Sequence, residues 1–253
     1  MKNITEKTNG IYLALPCMDG RVEKELMDSI IGLYLLCKEK KIPLIHTATA
    51  GCSLISKGRT DMSNLFYYET GFSHFLFIDS DLQFDPKDII EMYESKKDII
   101  AGTYVKKSLN WKKIQSDIIK SDINTNDSDN LLINSGEYCL VNLTGKKGDK
   151  IMKADYAATG MLMINRKVFT ALQRYMDEEY FMVGKNKYYN YFETMLYPLQ
   201  VKRNFYLSED YAFCQRARFA GFDINILMDC NTTHYGRFGS KGNLKKYIEN
   251  GNR

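Results

Sequence analysis

The sequence predicts an α/β protein built on a mostly parallel, twisted sheet with helices on both faces. Two observations carry that prediction. Short apolar runs alternate with helical patterns from Ile11 to Thr103, and the aromatic run His74–Ile78 stops abruptly at Asp79-Ser80-Asp81. In such sheets ligands bind beyond the carboxyl ends of the strands, where this pair of acids falls.

Ile11–Leu15 reads as a first buried strand that breaks at Pro16 into the loop Pro16–Arg21. From Val22 to Lys40, Leu26, Ile30, Leu33 and Cys37 recur at helical spacing. Pro43–Thr49 offers a second strand. Lys57–Gly71 then sets Met62, Leu65 and Phe66 on one helical face, with Gly71 as the expected C-cap. After the acids, Asp85-Pro86 supplies an N-cap and first-turn proline for a helix to about Tyr93, followed by a strand over Asp98–Thr103. Periodicity fades between residues 106 and 149, which read as a polar insertion with a hairpin at Tyr138–Leu143. Ala157–Gly160 places four small residues before the apolar run Met161–Ile164, and Arg166–Tyr175 is helix-like. Tyr180–Tyr206 is aromatic and irregular. Leu207-Ser208-Glu209-Asp210 opens a helix to about Ala220 that Gly221 ends, Asp223–Met228 is a last strand, and a basic polar tail spans 241–253. Residues 1–240 are expected to form a single domain.

At 253 residues the chain can bury a sizeable core. A formal charge of +4, spread over scattered lysine pairs, is too small a bias to predict a nucleic-acid partner but tolerates an anionic ligand. The six cysteines form no C-x-x-C pair, which argues against zinc ribbons and redox motifs and for a reducing compartment. No apolar run approaches a membrane span, and no signal-peptide core is recognisable, so a cytoplasmic, non-secreted protein is expected. Oligomeric state is left open.

Side chains two apart on a strand share one side, so Asp79 and Asp81 can both face one divalent cation and the phosphates it carries, and Ser80 leaves room for close approach. Taken alone, the pair reads equally as solvated loop acids. Glu209 and Asp210 occupy the first turn of a helix, where acids favour the macrodipole; one of the two is free to project into a cleft and accept a proton from an attacking hydroxyl. His234 offers nitrogen to a hard-cation site begun by carboxylates. Trp111 can pack or stack on a sugar ring, and the small Gly160 serves either a close backbone or ligand approach or tight strand packing.

In this order, Leu15-Pro16, Asp79-Ser80-Asp81, Ala158-Thr159-Gly160 and Leu207-Ser208-Glu209-Asp210 resemble GT-A glycosyltransferases, and most of all the compact family 2-like enzymes of bacteriophages and large DNA viruses. The resemblance spans about Ile11 to Gly239. It implies a Rossmann-like GT-A domain that moves one sugar from a nucleotide-diphosphate sugar to a hydroxyl of a glycan, protein or small-molecule acceptor, with inversion, in the host cytoplasm. It further implies that Pro16 and Asp19 line the nucleobase and ribose pocket, that Arg59 lies near the nucleotide, and that Asp79 approaches the ribose or a metal-bound water. Asp81 would bind Mn²⁺ or Mg²⁺ directly, His234 would complete the metal site, Lys241 would hold the diphosphate, and Asp210 would be the base. A Q-x-x-R-W element of processive synthases is missing, which favours transfer of a single sugar. The rival reading is a non-catalytic nucleotide-sugar or carbohydrate-binding protein on the same fold.

Overall fold

The computed structural model describes residues 7–108, 110–120, 132–133, 136–200 and 203–236. Its central sheet is assembled from β1 (Thr8–Pro16), β2 (Leu44–Thr49), β3 (Phe72–Ile78), β5 (Ile99–Gly102), β7 (Ile151–Ala154), β9 (Met161–Asn165) and β14 (Ile224–Leu227), in the spatial order β2-β1-β3-β9-β5-β14-β7. β1, β2 and β3 are mutually parallel, β14 is parallel to β5, and only β9 and the edge strand β7 run against the rest. The expected mostly parallel sheet is therefore observed, consistent with a Rossmann-like GT-A arrangement.

Alternation along β1 shows how the sheet divides its core. Ile11, Leu13 and Leu15 face one side, where Leu26, Ile30 and Leu33 of α1 (Lys24–Glu39) and Ile89 and Met92 of α3 (Pro86–Glu94) cover them. Tyr12 and Ala14 face the other side, with Met62 and Phe66 of α2 (Ile55–Glu69), Phe169 and Leu172 of α5 (Arg166–Tyr175), and Phe213 and Ala217 of α6 (Glu209–Phe219). Burial on both faces explains why the β3 run reads as continuously apolar rather than alternating.

Cap chemistry holds in part. Asp85 Oδ1 accepts from Lys87 N at 2.9 Å with Pro86 in the first turn, and Gly221, at φ +87°, ends α6. Gly71 does not cap α2: the helix stops at Glu69 with Thr70 extended. The Arg166 guanidinium takes over that task, donating to the carbonyls of Phe66, Tyr67 and Thr70 at 2.9–3.0 Å, so the orphan carbonyls need no left-handed glycine. Leu65, expected inward, is exposed; the buried stripe of α2 runs through Arg59, Met62, Ser63 and Phe66.

Outside the central sheet, β4 (Leu82–Phe84) pairs antiparallel with β15 (Thr232–His234), and β6 (Leu140–Val141) with β8 (Tyr156–Ala157). The stretch expected to be irregular contains two hairpins, β10 (Tyr180–Val183) with β11 (Asn186–Tyr189) and β12 (Met195–Gln200) with β13 (Arg203–Leu207). Part of the polar insertion forms α4 (Trp111–Lys120). Lys241 and the tail 241–253 lie outside the described residues. All six cysteines are free thiols, and among the described residues no helix is long and apolar enough to cross a membrane.

Candidate active site

Parallel pairing carries the ends of three strands to one edge of the sheet. Pro16 stands opposite Thr49, and Ala14 opposite Phe77, so the loops after β1, β2 and β3 open side by side. Between them lies a cavity of about 320 Å³ that includes Pro16, Arg59, Asp79, Ser80, Asp81 and His234 in its lining. Six of the residues singled out in the sequence thus meet in one place.

Asp81 and His234 are brought together by the β4–β15 ladder, in which His234 stands opposite Leu82 and Tyr235 N donates to Asp81 O at 2.9 Å. His234 Nδ1 lies 2.8 Å from the carbonyl oxygen of Val105. A carbonyl only accepts, so Nδ1 carries its hydrogen, and in the neutral ring Nε2 presents a lone pair 3.2 Å from Asp81 Oδ1. Two lone pairs face each other there unless a proton or a cation sits between them. The other Asp81 oxygen, Oδ2, pairs with the Lys107 ammonium. Burial pushes the Asp81 carboxyl up, but a hydrogen bond from His234 when its Nε2 is protonated, and that from Lys107, outweigh it and hold Asp81 below its usual range.

Asp79 belongs to a second, deeper cluster. Arg59 sits one turn before Met62 on the buried stripe of α2, with its guanidinium carbon 5.0 Å from the Phe77 ring centroid, and its Nη2 donates to Asp79 Oδ1 at 2.8 Å. Its Nε stands 3.6 Å from Glu209 Oε1, too long for a hydrogen bond, and its buried Nη1 has no hydrogen-bond partner among the described residues. Burial, and then the Asp210 charge, raise the Glu209 carboxyl above its ordinary value, although Arg59 pulls the other way. Gly160 closes the floor: its carbonyl accepts from Asp79 N and its N–H donates to the buried Tyr104 hydroxyl, each at 2.9 Å. A Cβ at position 160 would lie 2.4 Å from Tyr104 Oη and 2.7 Å from Asp79 Oδ2, so only glycine fits without displacing one of them.

The two acids of α6 divide their tasks. Glu209 turns inward to Arg59, whereas the Asp210 carboxylate accepts from Ser208 Oγ and, at 2.8 Å, from Tyr211 N at its own helix start. The charges of Asp210 and Asp79 both act on the Cys139 thiol, which burial raises first, so that thiol lies within electrostatic reach of the helix start and the strand end alike. Asp19 accepts from Arg21 N at 3.1 Å in an exposed turn, and Trp111 is 61% exposed at the start of α4; neither lines the cavity, and Gly160, Glu209 and Asp210 also lie outside its lining. Sequence reasoning missed Lys107, which sits where periodicity fades, and Cys17, Met18, Thr49 and Cys52, whose place in the lining follows only from strand order. Arg59, which the resemblance placed near the nucleotide, does line the cavity, and a buried arginine has to meet acids, here Asp79 and Glu209.

No protein-family model matches the chain, and no curated protein matches it. Among solved structures, A197 from STIV superposes with a TM-score of 0.51 at 12% identity, over 90% of this chain and 86% of that one. A protein from Bacillus anthracis assigned as a glucose-1-phosphate thymidylyltransferase, crystallised with a sucrose, reaches a TM-score of only 0.30 at 11% identity, over 64% of this chain and 74% of that one, too slight a likeness to bear on the fold. The chain therefore shares with A197 a mixed α/β fold with a large, mostly parallel sheet between helices, at an identity that speaks to the fold alone.

Proposed function

We propose that the protein is a metal-dependent glycosyltransferase that moves one sugar from a nucleotide-diphosphate sugar to an acceptor hydroxyl. The observation that carries this reading is the convergence of Asp81 and His234 Nε2 at the mouth of a cavity that a deeper Arg59–Asp79 pair also lines.

Mn²⁺ or Mg²⁺ fits this donor set. One carboxylate and one imidazole, the latter oriented by its Nδ1–H on Val105, are what a hard cation takes when substrate phosphates fill its remaining positions. Among the described residues no third histidine, cysteine or acid joins them, which leaves those positions to the donor. The Lys107 ammonium on Asp81 already shows that positive charge is stabilised at this point. When bound, the cation would supply charge that stabilises the departing diphosphate.

The chain's own residues would do the rest. Pro16 and Ser80 border the space for the nucleotide, Asp79 is held rigid by Arg59 for a ribose hydroxyl, and the unpartnered Arg59 Nη1 is a donor left for an anionic or carbonyl group. Glu209 turns inward to Arg59, whereas Asp210, whose Oδ1 accepts from Ser208 Oγ and Tyr211 N, would accept the acceptor's proton on Oδ2, which favours inversion. Gly160, buried beneath Tyr104 and Asp79, would set the position of Asp79 rather than touch the acceptor, and Trp111, exposed near the edge of the polar insertion, would stack on an acceptor ring.

A thermal-shift screen of nucleotide sugars with and without Mn²⁺, followed by assay of donor hydrolysis and transfer, tests the proposal. A Mn²⁺-dependent shift with one donor, accompanied by slow Mn²⁺-dependent release of its diphosphate, is expected. Metal-independent binding with no turnover against any acceptor would favour the binding-protein alternative and overturn the metal-dependent transferase, and no shift with any nucleotide sugar, with or without Mn²⁺, would overturn both.

A further inference from the structure

Lys107 is not a loosely placed surface lysine. The two residues before it are both tied down: Val105 O accepts from His234, and Lys106 N donates to Glu137 O at 2.9 Å while the Lys106 side chain is taken by Glu137 at 3.2 Å. Its stem is pressed over Gly236, where an added Cβ would stand 2.9 Å from Lys107 Cδ and 3.0 Å from its Cβ. The ammonium is therefore delivered to Asp81 Oδ2 by the held backbone before it and by its stem's packing on Gly236, while Asp81 Oδ1 faces His234.

That placement sets up a competition. A divalent cation between Asp81 and His234 would share its carboxylate with Lys107, and two positive charges on one carboxylate repel. The ammonium has a flexible four-carbon stem, lines the same cavity, and would find the donor's phosphate oxygens next to the position it leaves. Resting on the metal reading above, we propose that Lys107 is a built-in counter-ion that yields Asp81 to the divalent cation and then holds the donor's diphosphate, so that each of the two ligands strengthens the other. It would take the diphosphate-holding role that the sequence resemblance assigned to Lys241. Because linkage is reciprocal, the coupling can be read from either ligand.

Calorimetric titration of Mn²⁺ into the full chain, alone and with saturating uridine or guanosine diphosphate, tests this in wild type, Lys107→Met and Lys107→Arg. Lys107→Met is expected to bind Mn²⁺ alone about two- to fivefold more tightly, the size of losing one partly exposed competing charge. The gain in Mn²⁺ affinity that a diphosphate gives the wild type should shrink in the same variant, and Lys107→Arg, which keeps the charge, should behave as wild type. Equal Mn²⁺ affinity in wild type and Lys107→Met, equal coupling in the two, or Lys107→Arg tracking Lys107→Met would each overturn the inference while leaving the metal site standing. No Mn²⁺ binding by any of the three would overturn the metal reading, and the counter-ion with it.

Discussion

Replacing Arg59 by methionine isolates the deeper cluster. The arginine side chain is 5% exposed, and its two acidic neighbours, Asp79 and Glu209, are 25% and 17% exposed. Methionine keeps most of the contact with Phe77 but leaves two mostly buried carboxylates facing each other without a cation. Removing one partner of a buried ion pair typically costs about 3–5 kcal/mol, and the residual access of water to Asp79 moves the expectation to the lower end, about 3 kcal/mol. For a chain of this size that corresponds to a fall in Tm of about 6–12 °C. The deficit should depend on pH in a defined direction. Glu209 already has its folded-state carboxyl raised above the ordinary value, so its ionised form is penalised and its contribution to stability falls as pH rises from that ordinary value through the raised one. Without Arg59 the carboxyl rises further. Arg59→Met should therefore be most destabilising at mildly alkaline pH, and the deficit should narrow as acidification protonates Glu209. Thermal unfolding followed by circular dichroism across that range reads this directly, and the double variant Arg59→Met/Glu209→Gln should recover part of the loss. A deficit that is the same at every pH, or one that Glu209→Gln does not relieve, would show that only packing over Phe77 was lost.

Other changes separate the roles of neighbouring residues. Asp210→Asn is expected to bind donor normally but lose about 10²–10⁴ in kcat, whereas Glu209→Gln should mainly alter stability; wild-type kcat in Asp210→Asn would remove it as the base. Gly160→Ala drives a methyl into the Tyr104 hydroxyl and the Asp79 carboxylate and should destabilise by about 1–3 kcal/mol; an unchanged urea midpoint would refute that close approach. Away from the site, burial first, and then the charges of Asp85, Asp229 and Glu91, raise the Asp88 carboxyl from 3.8 to about 6, against the hydrogen bond from Asn231 N. Wild-type stability should fall as pH rises through that window, by about 1–3 kcal/mol from this group, and Asp88→Asn should flatten the profile in denaturant titrations at several pH values.

Much of the fold was legible because its long elements have one environment along their length. α1 and α5 show helical spacing, and β1 and β3 are apolar runs bounded by breakers, so their place in the sequence fixes them within a few residues. The direction of β9 was not legible: a buried run such as Met161–Ile164 looks the same parallel or antiparallel, and only its pairing with β3 and β5 decides it. Three-residue strands such as β4 and β15 are too short to show a period, yet their pairing is what brings His234 to Asp81. Asp79, Asp81 and His234 could be named from residue type and position, since carboxylates at a strand end demand a use. Lys107 could not, because nothing in its own neighbourhood predicts that a turn after β5 and the stem's packing on Gly236 aim it at Asp81. Of the two acids of α6, the sequence left open which turns inward; the inward one is Glu209, because it is the one that Arg59 meets.

The most direct measurement is the anomalous difference density of crystals grown with Mn²⁺ and a nucleoside diphosphate, recorded at the manganese edge. A single strong peak bridging Asp81 and His234 Nε2, with diphosphate oxygens completing its coordination and Lys107 moved off Asp81, is the expected result. A diphosphate bound in the cavity with no peak there, or a peak held by other residues, would contradict the claim that Asp81 and His234 anchor the metal on which transfer depends.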